Sequence, residues 1–384
     1  MKPLMAVLFV DALGWRLAGS RPGFASSLPN RREIATILGF SSGALPTAFS
    51  GRMPREHGRW LMYRRAGAEP TPFAGFGILR WLPPALRRSW RLGQWLTRRV
   101  AGRGVRGYFN LYEVPRDELA RFDLAEKADI FAPGGLGVET LWDVLERRKV
   151  RWRGWNWRTP EAESLARMRD RIARGDEDFL FLYTADLDAL LHREGSQGEG
   201  VRARLDRYDA WIREALGDAE RRGRPLWLYL CSDHGMVDVT ASVDVIGRLD
   251  ALPVRRGRDY FAFYDSTMAR FWWRHESARE AVRAALASEP RGRWLGREEL
   301  AREGADFPGH EYGDDVFLLA PGVLMVPSFM GTAPVAAMHG YDADHRDMTA
   351  LLASNRELPA RVRHLADLRG FFESELDAQD SVIA

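Results

Sequence analysis

Three runs of consecutive apolar residues in this chain share one layout: each is short, and each ends on acidic or imidazole side chains. Met5 to Val10 stops at Asp11, Phe179 to Tyr183 leads into Asp186 and Asp188, and Leu226 to Cys231 stops at Ser232, Asp233 and His234. A run of that length with no polar alternation reads as a strand buried on both faces. Between the runs, Glu161 to Arg174 and Val201 to Arg221 carry apolar residues at helical spacing among charged ones, which predicts amphipathic helices. Strand, helix and strand in alternation imply an α/β fold whose central sheet is largely parallel and sandwiched by helices. In open sheets of that kind ligands bind outside the carboxyl ends of the strands, where these acids and imidazoles would gather. A further pair of strands is predicted from Tyr260 to Trp273, joined by a turn at Asp265-Ser266. The sequence shows no internal repeat and no low-complexity run.

Length and composition narrow the picture. With 384 residues, 46% of them apolar, the chain can bury a large core and exceeds the usual size of one domain, so the expectation is a single catalytic domain, 1–384, carrying insertions. Lys and Arg number 56 against 53 Asp and Glu, and a net charge of +3 gives no reason to expect nucleic acid as a partner. Cys231 is the single cysteine, so any metal must be held by His and carboxylates, and a reducing, cytoplasmic setting is expected. The first apolar run is cut by Asp11 and reads as a strand rather than a signal segment. No stretch has the roughly 18 uninterrupted apolar residues of a membrane span.

Candidate chemistry lies in four places. Phe40 to Gly51 reads as a small-residue turn opening a short helix, closed by Gly51 and Pro54, with Ser41 at its N-terminus. Free N–H groups there favour a phosphate, and a nearby cation would turn the hydroxyl into a nucleophile; the alternative is that Ser41 or Ser42 caps the helix. Asp188 and His192 stand four residues apart, so one helical turn would aim both at a single cation, although the same spacing also describes an ordinary solvated face. Asp233 and His234 are adjacent and would point in different directions if Gly235 allows a sharp turn; otherwise they are a helix cap and a satisfied core histidine. His339 lies in the loop-like run Met338-His339-Gly340-Tyr341-Asp342.

Taken in order, four stretches resemble the alkaline phosphatase superfamily, specifically its nucleotide pyrophosphatase/phosphodiesterase-like branch. They are Val10-Asp11, Ser41 through Ser50-Gly51-Arg52-Met53-Pro54-Arg55-Glu56-His57-Gly58, Asp188 to His192, and Ser232 to Met236 with Met338 to Asp342. The resemblance implies an alkaline phosphatase-like fold with inserted cap segments, and it selects Ser41 over Ser42 as nucleophile by its distance from Gly51. It further implies two divalent metal ions, with zinc the default and manganese or iron also accepted. Asp188, His192 and His339 would hold one, and Asp11, Asp233, His234 and the Ser41 oxygen the other. The implied activity is hydrolysis of a phosphodiester or pyrophosphate bond through a phosphoseryl intermediate, with Asp342 orienting a ligand from behind. A phosphomonoesterase or phosphotransferase of the same superfamily is the alternative within enzymes. A non-catalytic module binding a membrane surface or nucleic acid is the alternative outside them.

The chain also departs from the family pattern. Ser42-Gly43-Ala44-Leu45 stands where the diesterase branch has Phe-Pro-Asn-His, and no counterpart is found for the family's phosphate-binding Asn. Oxyanion stabilisation would then come from the metals, from the Ser42 backbone N–H, or from an unassigned arginine. Gly43 and Leu45 at the positions of the sulfatase Pro and Arg argue against sulfatase activity. Two insertions are expected, a lid over 62–135 rich in Arg and Trp and a cap over 244–307. Arg270 in the cap is a candidate substrate contact, weighed against a solvent-facing strand arginine. Residues 78–99 read either as an interfacial helix making peripheral membrane contact or as a lid helix with its apolar side on the core. The expected partner is a small or lipid-linked phosphoester substrate.

Overall fold

The computed structural model describes residues 2–87 and 89–382. Its central sheet has six strands, in the spatial order Asn30–Ile34, Ala350–Ser354, Leu226–Cys231, Leu4–Val10, Phe179–Thr184, Trp152–Trp155. Leu4–Val10 runs parallel to both of its neighbours, Trp152–Trp155 is parallel to Phe179–Thr184, and only Ala350–Ser354 runs against its neighbours. All residues of the three middle strands are buried, as their unbroken apolar sequences require when helices cover both faces.

The two faces carry separate cores. On one, Ala6, Leu8, Val10, Leu180 and Leu228 pack against Met168 and Ile172 of helix Glu161–Arg174 and against Leu205 and Ile212 of helix Glu199–Arg222. On the other, Val7, Phe9, Phe181 and Tyr229 pack against helices Ser41–Ser50, Leu141–Arg147 and Asp367–Ser381. Alternate residues of one strand therefore face opposite layers, as the pleat of a strand dictates.

A four-stranded antiparallel sheet forms the second body, in the order Tyr260–Tyr264, Met268–Trp273, Asp315–Leu319, Gly292–Trp294. Its first hairpin turns at Asp265 to Thr267, and its third strand lies past residue 307. The Arg/Trp-rich segment opens with the strand Tyr63–Arg65, which pairs with Phe122–Leu124 further along it. Tyr63 stacks on Phe263 at 4.9 Å between ring centroids, and Phe122 meets the same ring edge-on at 5.1 Å. Residues from 62–135 and from 244–307 thus lie in one apolar core.

Within residues 62–135, helix Trp90–Ala101 seats Leu96 and Val100 in that core, with Leu92 half-buried one turn earlier. Trp81, Trp90 and Trp95 lie outside, at 75%, 67% and 51% exposure. Leucine and valine, not tryptophan, seat this helix on the core. No described helix is long and apolar enough to cross a membrane.

Candidate active site

Helix Ser41–Ser50 starts at the carboxyl edge of the central sheet. Phe40 precedes it with extended backbone and no side-chain cap, while Gly51 ends it in the left-handed region at φ 68°. The Gly43 and Ala44 N–H groups both return to the Phe40 carbonyl, at 2.9 and 3.1 Å, so the first-turn N–H groups of Ser41 and Ser42 are left to face a ligand. Neither serine hydroxyl caps the helix. Ser42 Oγ donates to the Trp60 carbonyl at 3.3 Å, whereas Ser41 Oγ lies 3.0 Å from His234 Nε2 and 3.4 Å from Asp11 Oδ1. Gly43 is required by contact, because a Cβ there would sit 2.5 Å from the Trp60 carbonyl oxygen.

Asp11 follows the strand Leu4–Val10, and its Oδ2 accepts the Tyr183 hydroxyl from the neighbouring strand. Asp233 follows Leu226–Cys231; its Oδ1 accepts the N–H groups of Ala12 at 3.2 Å and His234 at 3.1 Å, leaving Oδ2 buried and without a hydrogen bond. His234 donates from Nδ1 to the Gly235 carbonyl at 2.9 Å, which aims Nε2 at Asp11 Oδ1, 3.4 Å away, and Asp233 Oδ2, 3.3 Å away. Gly235 allows this corner through close packing rather than unusual backbone angles. A Cβ on it would lie 2.0 Å from the Asp347 carbonyl oxygen.

The second group sits beside the first. Asp188 and His192 share one face of helix Asp186–Glu194, with Asp188 Oδ1 3.3 Å from His192 Nε2 and 3.6 Å from His339 Nε2. His339 is brought in by the two-residue strand Ala337–Met338, which pairs with Val237–Asp238 just after His234. The same strand fixes His192, whose Nδ1 donates to the Ala337 carbonyl at 2.8 Å. His234 and His339 stack with centroids 4.0 Å apart, so the two groups touch.

These donor sets fit metal ions. In tetrahedral coordination with bonds of about 2.0–2.2 Å, ligand atoms stand about 3.3 Å apart, close to the carboxylate-to-imidazole spacings in both groups. Asp188 Oδ1 and Asp233 Oδ2 are buried without any hydrogen bond, a costly state for an anionic oxygen unless a cation meets it. The electrostatics agree: burial, then the charges of Asp233 and Asp188, push the Asp11 carboxyl well above the usual carboxylate range. Burial, then His234 and His192, hold the His339 imidazole well below its ordinary value, which keeps its nitrogens free of an extra proton. Asp11, Asp233 and His234 form one such three-residue cluster, and Asp188, His192 and His339 the other.

A cavity of about 460 Å³ opens over both groups and Ser41. Met62, Leu324, Met325, Met330 and Met338 line it together with Tyr108, Tyr112 and Trp157, and no Lys or Arg is among its described lining residues. Glu126 lines it as well, its carboxyl pushed up to about 7 by burial.

Two sequence expectations are corrected. Arg270 is neither a substrate contact nor a solvent-facing strand residue: it is fully buried, paired with Asp265 at 2.8 Å, bonded to the Tyr63 carbonyl at 2.8 Å, and layered on Phe263. A long cationic side chain on the core side of an antiparallel strand must find such partners. Asp342 does not stand behind a candidate ligand, since its carboxylate turns outward to Arg293 at 2.8 Å and to the Asp344 N–H at 3.1 Å. Backbone carbonyls of Gly235 and Ala337 orient the histidines instead. Sequence reasoning misses Tyr183, which fixes Asp11; its one signal is a phenol at the end of an otherwise hydrocarbon strand, adjacent to the strand that carries Asp11.

The architecture is that of the alkaline phosphatase-like hydrolases. Murine ectonucleotide pyrophosphatase/phosphodiesterase 5 superposes with a TM-score of 0.65 at 13% identity, covering 98% of this chain and 95% of that one. The human protein of the same name gives 0.66 at 12% identity over the same shares. An inactive form of the murine protein, in complex with AMP, gives 0.64 at 15% identity, again over 98% and 95%. No curated protein matches the chain in sequence. The family model for type I phosphodiesterase / nucleotide pyrophosphatase matches residues 44–307, a span that contains Asp188, His192, Asp233 and His234. The chain belongs to that family and is a phosphodiester hydrolase.

Proposed function

We propose that this protein hydrolyses a phosphodiester or pyrophosphate bond by a double displacement on Ser41. The observation that carries the reading is the position of Ser41 Oγ, 3.0 Å from His234 Nε2 at an uncapped helix N-terminus, beside two clusters of buried carboxylates and imidazoles. Asp188, His192 and His339 would hold one divalent cation, and Asp11, Asp233, His234 and Ser41 a second, with zinc the default ion and manganese or iron also accepted by this mixed donor set. When bound, the pair supplies Lewis-acid stabilisation of the serine alkoxide and of the leaving oxygen.

The chain's own part is positioning. Helix Ser41–Ser50 presents Oγ to phosphorus and offers the Ser42 N–H to a non-bridging oxygen, in place of the family's asparagine. Ser41 gives up its proton to solvent as its Oγ–P bond forms and the bond from phosphorus to the departing oxygen breaks. Water then breaks the Oγ–P bond, releasing the phosphoester and restoring the hydroxyl. Two inversions give net retention at phosphorus.

The apolar and aromatic cavity supports a substrate carrying a nucleobase or a lipid chain on phosphorus. The AMP complex of the murine neighbour supports the first, and the methionine-rich lining supports the second. Rates on bis-p-nitrophenyl phosphate and p-nitrophenyl phosphate, with zinc or manganese added, test the assignment. The diester is expected to be preferred, with Ser41→Ala losing several orders of magnitude in turnover while keeping its metal. Full activity in that variant would refute Ser41, and preference for the monoester would move the protein to the phosphomonoesterases.

A further inference from the structure

Five of the nine exposed large apolar side chains among the described residues fall between Ile78 and Trp95: Ile78, Trp81, Leu86, Trp90 and Trp95, each more than half exposed. The same stretch has an unusual charge. From Pro70 to Tyr112 the sequence holds eight arginines and no Asp or Glu, in a chain whose total net charge is only +3. Such a local excess makes the stretch strongly basic within a nearly neutral sequence.

The arrangement of the side chains is specific. On helix Trp90–Ala101, Leu96 and Val100 point into the core, while Trp90 and Trp95 flank the outward side and Arg91 and Arg98 lie between them. Arg80 covers the Trp81 ring at 4.9 Å, Arg91 covers Trp90 at 5.7 Å, and Arg99 covers Trp95 at 5.7 Å. Arg80, Arg91, Arg98 and Arg99 form no ion pair among the described residues, although the chain has many acidic side chains elsewhere. Indole rings with guanidinium groups beside them match the boundary between anionic headgroups and acyl chains, where the ring enters the apolar edge and the cation meets phosphate.

We infer that the surface formed by residues 78–87 and 89–99 docks on an anionic lipid bilayer. Charge complementarity decides between occupants: a second copy would set arginine against arginine, whereas an anionic membrane neutralises them and receives the tryptophans. The inference goes beyond the catalytic reading and holds whether or not Ser41 is the nucleophile. It also gives the cavity's position a use, since the same insertion supplies Tyr108, Asn110 and Tyr112 to the wall beside Ser41.

Sedimentation of the full chain with vesicles of phosphatidylcholine alone, or mixed with phosphatidylglycerol, tests it. Binding is expected only with the mixed vesicles and should weaken as salt rises. A Trp81→Ser, Trp90→Ser, Trp95→Ser variant and an Arg91→Glu, Arg98→Glu, Arg99→Glu variant should each bind at least about tenfold more weakly. Both should retain wild-type melting temperature and turnover of a water-soluble diester, which distinguishes lost docking from lost folding. No binding to mixed vesicles, or binding unchanged in both variants, would overturn the inference. So would tighter retention on single-stranded DNA than on vesicles, or a dimer in solution that the tryptophan variant dissociates.

Discussion

Nε2 of His234 faces Ser41 Oγ across 3.0 Å because Nδ1 of the same ring is tied to the Gly235 carbonyl at 2.9 Å. A donor bond on one nitrogen fixes the tautomer and leaves the lone pair of the other directed at the serine and the carboxylates. His192 is held in the same manner by the Ala337 carbonyl. Histidines oriented by main chain are rigid without help from a second carboxylate, which explains why Asp342 is free to pair with Arg293 on the surface.

Tyr183 does for Asp11 what the carbonyls do for the histidines. Its phenol holds Asp11 Oδ2, so that Oδ1 is the oxygen turned toward Ser41 and His234. Tyr183→Phe should cost about 10- to 100-fold in metal affinity or turnover, the usual effect of removing an outer partner of a ligand. Zinc titration monitored by turnover measures it, and a wild-type titration curve would show that Asp11 needs no such support.

The Arg270–Asp265 pair should be structural. Breaking a buried pair by removing one partner strands the other charge, at about 3–5 kcal/mol. Arg270→Met is therefore expected to lower the denaturation midpoint strongly while the folded fraction keeps its KM. A raised KM with unchanged stability would restore Arg270 as a substrate contact.

His57 gives a pH prediction. Its Nδ1 accepts the Arg59 N–H at 3.3 Å and its Nε2 donates to Thr47 Oγ1 at 3.0 Å, and that hydroxyl in turn bonds the Gly43 carbonyl at 2.9 Å within the Ser41 helix. Burial, with Arg59 adding to it, depresses the imidazole to about 3, from an ordinary value of 6.5. The unfolded chain therefore binds a proton there that the folded chain refuses. The contribution is fully present above pH 6.5 and is lost as pH falls toward 3, at about 1.4 kcal/mol per pH unit. Urea denaturation of His57→Gln between pH 4 and 7 should show a shallower slope than wild type by about that amount. Identical slopes would mean that His57 titrates normally.

Much of this arrangement is legible in sequence because buried strands leave an unambiguous trace. Leu4–Val10, Phe179–Thr184 and Leu226–Cys231 are adjacent in the sheet and end beside one another, so Asp11, Asp188, Asp233 and His234 have to converge. The i, i+4 spacing of Asp188 and His192 carries its own geometry, since a helix does begin at Asp186. What stays hidden depends on contacts between distant segments. Arg270 looks like any strand arginine until Asp265 is folded back across the hairpin to meet it, and the short strand Ala337–Met338 that delivers His339 has no length from which to be recognised. The core shared by 62–135 and 244–307 is equally invisible, because Tyr63 and Phe263 are separated in sequence by three strands of the central sheet and meet only in space.

Anomalous diffraction from crystals grown with zinc would show whether the two clusters hold a pair of ions astride Ser41. Two peaks are expected, one within bonding distance of Asp188, His192 and His339 and the other of Asp11, Asp233, His234 and Ser41 Oγ. Crystals with no zinc at these side chains, or with zinc bound only elsewhere on the surface, would contradict that arrangement.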